Sequence, residues 1–210
     1  AEQAVLLGAL DDADGGTPAF AAVTGEPGIG KSRLCAEVAA LARERGARVV
    51  IGRCTQDDGA PPLWPWRAVL RGLGHDLDVS ADDDEGASFR TWEGVVDTIL
   101  RECARDLLVV VLDDLHWADP ATLRVLRLLL ESADAGRLLV ILTWRTHPEP
   151  VGALGDLAEA LSRHHSTRLT LSGLAVEDVA SLLESVTHHE PTPRQATLLA
   201  ERTDGNPFFL

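Results

Sequence analysis

The chain has 210 residues, 45% apolar and 25% charged, with a net charge of −14 at pH 7. That length supports one large domain, or one domain with a small appendage, and the apolar share is enough for a sizeable core. The charge opposes a nucleic-acid backbone, no Lys/Arg cluster with interleaved aromatics offsets it, and no apolar run approaches the roughly 20 residues that span a bilayer; neither direct nucleic-acid binding nor membrane insertion is expected.

No basic segment followed by an apolar stretch opens the chain, so no signal peptide is expected. The absence of an initiator Met, and of Met altogether, suggests a piece of a longer protein. Cys35, Cys54 and Cys103 are widely spaced and form no CxxC pair. Reduced, mostly buried thiols in a cytoplasmic protein are the expectation.

Taken in chain order, Ala19–Thr24 is a short apolar run ending in a Gly-rich loop. Residues 31–45 have helical periodicity, with Leu34, Val38 and Leu41 on one face, and Gly46 stops them. Arg48–Arg53 reads as a second strand, residues 61–65 as rigid loop and residues 66–73 as a short helix. Residues 74–90 carry Asp82, Asp83, Asp84 and Glu85 without a pattern and read as an exposed acidic loop. Residues 91–105 form a helix candidate. Residues 107–112 are an unbroken aliphatic run, as expected of a strand buried on both faces of a parallel sheet.

Asp119 then supplies a helix N-cap and Pro120 the first helical position, with Leu123, Leu126, Leu129 and Leu130 as the apolar stripe. Residues 137–143 read as a strand, 151–162 as a helix and 167–171 as a fifth strand. Strands separated by helices imply right-handed crossovers and an α/β fold with a parallel sheet. After residue 171 the strands stop, and residues 176–186 and 193–202 read as helices of a small lid. The division is a core at 1–172 and the start of a helical subdomain at 173–210, whose apolar end, Phe208-Phe209-Leu210, is expected to pack against a segment beyond it.

Gly25-Glu26-Pro27-Gly28-Ile29-Gly30-Lys31-Ser32 matches G-x-x-x-x-G-K-[ST] in full, between a strand and a helix. Glycines let the backbone approach phosphate oxygens, the loop N–H groups form a concave anion site, and the helix adds the positive end of its dipole. Lys31 offers a point charge to the β- and γ-phosphates, and Ser32 a hydroxyl to Mg²⁺. The aliphatic strand delivers Asp113 and Asp114 to the sheet edge where ligands bind in open α/β folds. Asp113 is placed to hold Mg²⁺ through water. Asp114 is either the group that orients or deprotonates an attacking water or a carboxylate that caps the next loop. Thr143 and Arg145 emerge at the same edge; Arg145 is either a γ-phosphate sensor or half of a surface ion pair, and the Thr143 hydroxyl is expected to assist it at the phosphates to a lesser degree. Gly205-Asn206-Pro207 reads as a helix stop. His116 and Trp117 read as rings packed beneath the site, and the pairs His164-His165 and His188-His189 as surface histidines.

The runs GEPGIGKSRL (25–34), VVLDDLHWADP (110–120), TWR (143–145) and GNPFFL (205–210) together resemble the STAND class of signal-transduction ATPases, within the AAA-like P-loop proteins. Their nearest likeness is the ATPase module of large bacterial LuxR-type transcriptional regulators. The resemblance implies a three-layer αβα sandwich with strand order 5-1-4-3-2 and a helical lid. It implies ATP/ADP and Mg²⁺ as ligands, with Gly25, Glu26, Pro27, Gly28, Ile29, Gly30, Lys31, Ser32 and Arg33 around the nucleotide. Arg145 matches the sensor arginine, and Pro207 matches a proline that lies near the adenine. No partner-supplied arginine finger is identifiable.

Three functions follow. A nucleotide-controlled switch would close on ADP, open and self-associate on ATP, hydrolyse slowly, and work with other domains of a longer parent. An autonomous kinase would share the phosphate loop but needs an acceptor pocket. A scaffold would hold nucleotide without turnover.

Overall fold

The computed structural model describes residues 2–57, 59–77, 85–164 and 166–210. Five strands, β1 (Ala19–Thr24), β2 (Arg48–Arg53), β3 (Leu108–Asp113), β4 (Leu138–Trp144) and β5 (Thr167–Thr170), form one sheet in the order β2-β3-β4-β1-β5. Every pairing is parallel. This is the α/β, three-layer P-loop NTPase architecture, with the order 5-1-4-3-2 read from its other edge.

The layers follow from strand periodicity, since successive side chains point to opposite faces. On one face Ala21, Val23, Val109, Val111, Leu139 and Ile141 join the buried sides of α1 (Glu2–Asp14) and α2 (Lys31–Glu44). On the other, Phe20, Ala22, Leu108, Val110, Leu112, Val140, Leu142 and Trp144 meet α3 (Trp64–Gly72), α4 (Glu85–Cys103), α5 (Pro120–Ser132) and α6 (Gly152–Arg163). All residues of β3 and β4 are buried, which is why both strands are aliphatic up to Leu112 and Leu142, before Asp113 and Thr143 at the functional edge.

Register sets the functional edge. Arg53 lies opposite Asp113 across β2 and β3, and Val23 opposite Thr143 across β1 and β4. The phosphate loop, the acidic pair and the Thr143–Arg145 turn therefore leave the sheet side by side.

Some elements differ from expectation. α1 was absent from the sequence reading, although Leu6, Ala9, Leu10 and Ala13 form its buried stripe. α4 starts at Glu85, so residues 85–90 are helix and not loop; acidic residues favour a helix N-terminus, where the backbone dipole is positive. Asp82, Asp83, Asp84 and His165 lie outside the described residues. α3 begins at Trp64, two residues early, with Pro65 in its first turn. Asp119 caps α5 as expected, its Oδ1 accepting from Thr122 N at 3.0 Å. Beyond the sheet, α7 (Val176–Thr187) and α8 (Pro193–Thr203) bury only Val179 and Ala196. α8 opens on a capping box of Thr192 and Gln195.

Cys35, Cys54 and Cys103 are buried and free of disulfides, as expected. Burial pushes the Cys35 and Cys54 thiols up to about 12.

Candidate functional site

The phosphate loop turns on left-handed glycines. Gly28 has φ +77°, and a Cβ there would come within 2.5 Å of Phe208 Cβ. Gly30, at φ +105°, stands at the N-cap of α2 and offers no capping side chain, which leaves the first N–H groups of the helix facing the loop. Lys31 is 7% exposed, and its Nζ donates to Gly25 O and Glu26 O, both at 2.9 Å. Burial pushes its ammonium below the usual lysine range, with the Asp114 carboxylate pulling the other way.

Asp113, at the end of β3, is the meeting point. Ser32 Oγ donates to its Oδ1 and Oδ2 at 3.2 and 3.0 Å. Thr143 Oγ1 donates to Oδ1 at 2.6 Å. Arg53 Nε and Nη2 both donate to Oδ2, at 3.2 and 3.1 Å. A carboxylate and a serine hydroxyl 3 Å apart make a hard oxygen pair, the donor chemistry that suits Mg²⁺. Asp113 and Ser32 would hold that ion.

Thr143 was expected to assist Arg145 at the phosphates. It is instead fully buried and turned to the acidic pair, donating to Asp113 and accepting from Asp114 N at 2.9 Å. Asp114 is left-handed, at φ 63°, and its side chain caps nothing in the 3₁₀ turn Leu115–Trp117 that follows. The loop-capping alternative therefore falls away. The Asp114 carboxylate stands 3.9 Å from His116 Nδ1. Both ring nitrogens of His116 are buried without a hydrogen-bond partner. Burial, reinforced by Arg145, pushes its pKa below the ordinary 6.5. Arg145 lies over the Trp117 ring at 5.3 Å, and no acidic group among the described residues is within ion-pair distance of it. The surface ion-pair alternative thus gives way to a cation stacked at the site.

The far end of the chain returns to the loop. After α8, Asn206 Nδ2 donates to Pro27 O at 2.9 Å, and Asn206 Oδ1 accepts from Phe208 N at 3.0 Å. Gly205-Asn206-Pro207 does stop a helix, but it also straps the phosphate loop. Beside the strap is an open cleft of about 540 Å³ bordered by Ile29, Gly30, Arg33, Leu171, Leu174 and Pro207. Its walls, apolar at Ile29, Leu171, Leu174 and Pro207 and charged at Arg33, Glu37 and Asp178, fit a flat base next to the phosphate loop.

Sequence reasoning missed the roles of Arg53 and Asn206 and the side-chain partners of Glu26. Arg53 ends β2, and only the parallel register with β3 puts it beside Asp113. Asn206 stood inside a recognised run, yet nothing local aims its amide at Pro27. Glu26 was assigned to the nucleotide, but its carboxylate accepts from Thr146 Oγ1 at 3.1 Å and lies 2.7 Å from His147 Nδ1. That imidazole, with Thr146, holds the Glu26 carboxyl below its usual range. His164, His188 and His189 are exposed, as expected, and no metal-ligating cluster occurs among the described residues.

The fold and this constellation define an ATPase-type P-loop module. Residues 1–141 match the AAA ATPase domain family, and the chain belongs to it. Among solved structures it is similar to the ORC2 protein of Aeropyrum pernix in ADPNP–ADP complexes, at 18% identity and TM-score 0.64, over 99% of this chain and 58% of that one. A RuvB variant from Thermotoga maritima matches at 18% identity and TM-score 0.58, over 99% and 57%. A STAND protein with a tetratricopeptide-repeat sensor from Pyrococcus horikoshii matches at 21% identity and TM-score 0.54, over 94% and 27%. At these identities the likeness is one of fold, and the chain spans less than two thirds of each protein. No curated protein matches the chain.

Proposed function

We propose that the chain is the ATP-binding, slowly ATP-hydrolysing switch module of a multidomain signalling or transcriptional regulator of the STAND class. The observation that carries this is the meeting of Ser32 and Asp113, 81 residues apart in sequence and 3.0 Å apart in space, at the mouth of the phosphate loop. The LuxR-type context, the cytoplasmic setting and ATP-dependent self-association rest on the sequence resemblance. The likeness to the Pyrococcus horikoshii protein supports the class. The core is residues 1–172, and residues 173–210 begin the lid.

In this reading the loop N–H groups and the start of α2 cradle the α- and β-phosphates. Lys31 leaves the Gly25 and Glu26 carbonyls for the β- and γ-phosphates. Ser32 and Asp113 would hold a magnesium ion, which would supply neutralisation of the phosphate charge. Asp114 orients the attacking water, and His116 beside it stays neutral. Arg145 swings from Trp117 to the γ-phosphate and stabilises charge in the transfer. Thr143 fixes Asp113 and Asp114 relative to each other. The base lies in the cleft beside Pro207, where the strap couples nucleotide to lid.

ATP labelled at the γ-phosphate tests this. Free phosphate is the expected product, and Asp114→Asn should slow its release about 100-fold, the scale of one positioned base, while binding stays within about threefold. Label on an added small-molecule acceptor would make the protein a kinase. Turnover unchanged by Asp114→Asn would leave a scaffold that merely holds nucleotide.

A further inference from the structure

Asp113 receives more donors than a metal-holding carboxylate needs. Its side chain is 4% exposed, and both oxygens are engaged by hydroxyls of Ser32 and Thr143. Hydroxyls solvate a carboxylate but do not cancel its charge, and an unpaired buried charge is costly. Lys31, the cation of the phosphate loop, is turned to the carbonyls of Gly25 and Glu26. The cation in contact with Asp113 is Arg53, whose Nε and Nη2 converge on Oδ2 alone. Oδ2 is also the oxygen nearer to Ser32 Oγ, at 3.0 Å.

The backbone of Arg53 is fixed while its side chain is not. Cys54 N donates to Asp113 O at 2.9 Å, so the end of β2 is pinned to β3. The Arg53 side chain is 68% exposed and reaches Asp113 from the solvent side. It can leave for water without disturbing the core.

We propose that Arg53 is a displaceable counter-ion of Asp113, competing with a divalent cation for Oδ2, so that magnesium binding and the Arg53–Asp113 contact exclude each other. This rests on the nucleotide-site reading above. A divalent ion between Ser32 Oγ and Oδ2 would face a full positive charge within a few ångströms, in a partly desolvated setting where repulsion is strong. One of the two cations must go, and Arg53 is the one on a flexible, solvated stem. The protein then carries its own charge balance at Asp113 when magnesium is scarce, and sets the magnesium level at which the site loads.

The test is the Mg²⁺ dependence of ADP affinity in the full chain, by calorimetry from EDTA to saturating Mg²⁺, for wild type, Arg53→Lys and Arg53→Gln. Arg53→Gln should lower the Mg²⁺ concentration for half-maximal tightening by about three- to fivefold, the scale of one solvent-screened ion pair. It should also lower the melting temperature in EDTA and not in saturating Mg²⁺ and ADP. Arg53→Lys should lie between the two. An unchanged or higher Mg²⁺ requirement, with normal ADP binding by wild type, would overturn this inference alone. Lost ADP affinity of Arg53→Gln in EDTA would also overturn it, by making Arg53 a phosphate contact. A wild type that binds no ADP would overturn the site reading and this inference with it.

Discussion

Asp113 and His116 stand three residues apart and were read from the same run, yet their environments are opposite. Asp113 is surrounded by donors from Ser32, Thr143 and Arg53. His116 has two buried ring nitrogens and no hydrogen-bond partner for either, with the Asp114 carboxylate 3.9 Å from Nδ1. Its pKa is pushed below 6.5 by burial and by Arg145, so the unfolded chain takes up a proton that the folded chain resists. Stability should therefore fall as pH drops from about 6.5 towards the folded value, and this component should level off beneath it. His116→Phe removes the component. Denaturant midpoints at pH 7.5 and 5.5 should show a larger loss for wild type than for the variant; equal losses would mean that His116 protonates freely in the fold. At this scale the sequence was legible where sterics force residue identity. Lys31 and Ser32 open helix α2 directly after a loop whose glycines admit few alternatives, and Asp113 ends a strand with no polar residue before it. Arg53 was illegible because its role depends on a neighbour 60 positions away.

Strands β3 and β4 were legible because both faces are covered, and each fully buried Val or Leu there contributes about 1.5–3 kcal/mol. Helix α1 was not, because Val5 and Leu7 lie off its buried stripe and blur the period; Val5 is 44% exposed. The strap after α8 depends on contact between two distant backbones. Leu174 N donates to Gly205 O at 2.8 Å, and a Cβ at Gly173 would stand 1.8 Å from Asp204 O. No side chain can be accommodated without moving one backbone off the other. Gly173→Ala should release the strap from Pro27 while the sheet and its two cores stay intact. Limited proteolysis should then cut within residues 204–210 faster, and ATP affinity should fall about fivefold, the typical size of one lost coupling between elements. Unchanged cleavage and affinity would detach the strap from the nucleotide site.

Across the whole molecule, the alternation of strands and helices yielded the parallel α/β class, and the strand order came from resemblance. The pairing that makes β1 a neighbour of β4 and β5 has no local signature. What the assembled sheet adds is convergence: loop, acidic pair, Arg53 and Arg145 reach one edge from four strands. The proposed function requires this edge to bind a triphosphate and a divalent ion together. Calorimetry of ATP with Mg²⁺, on wild type and Lys31→Ala, tests it most directly. Wild type should bind, Lys31→Ala should lose at least about 100-fold in affinity, the scale of a charge-assisted phosphate contact, and the free variant should melt no lower than wild type, because burial disfavours the charged lysine. Normal ATP affinity in Lys31→Ala would mean that the phosphates bind elsewhere.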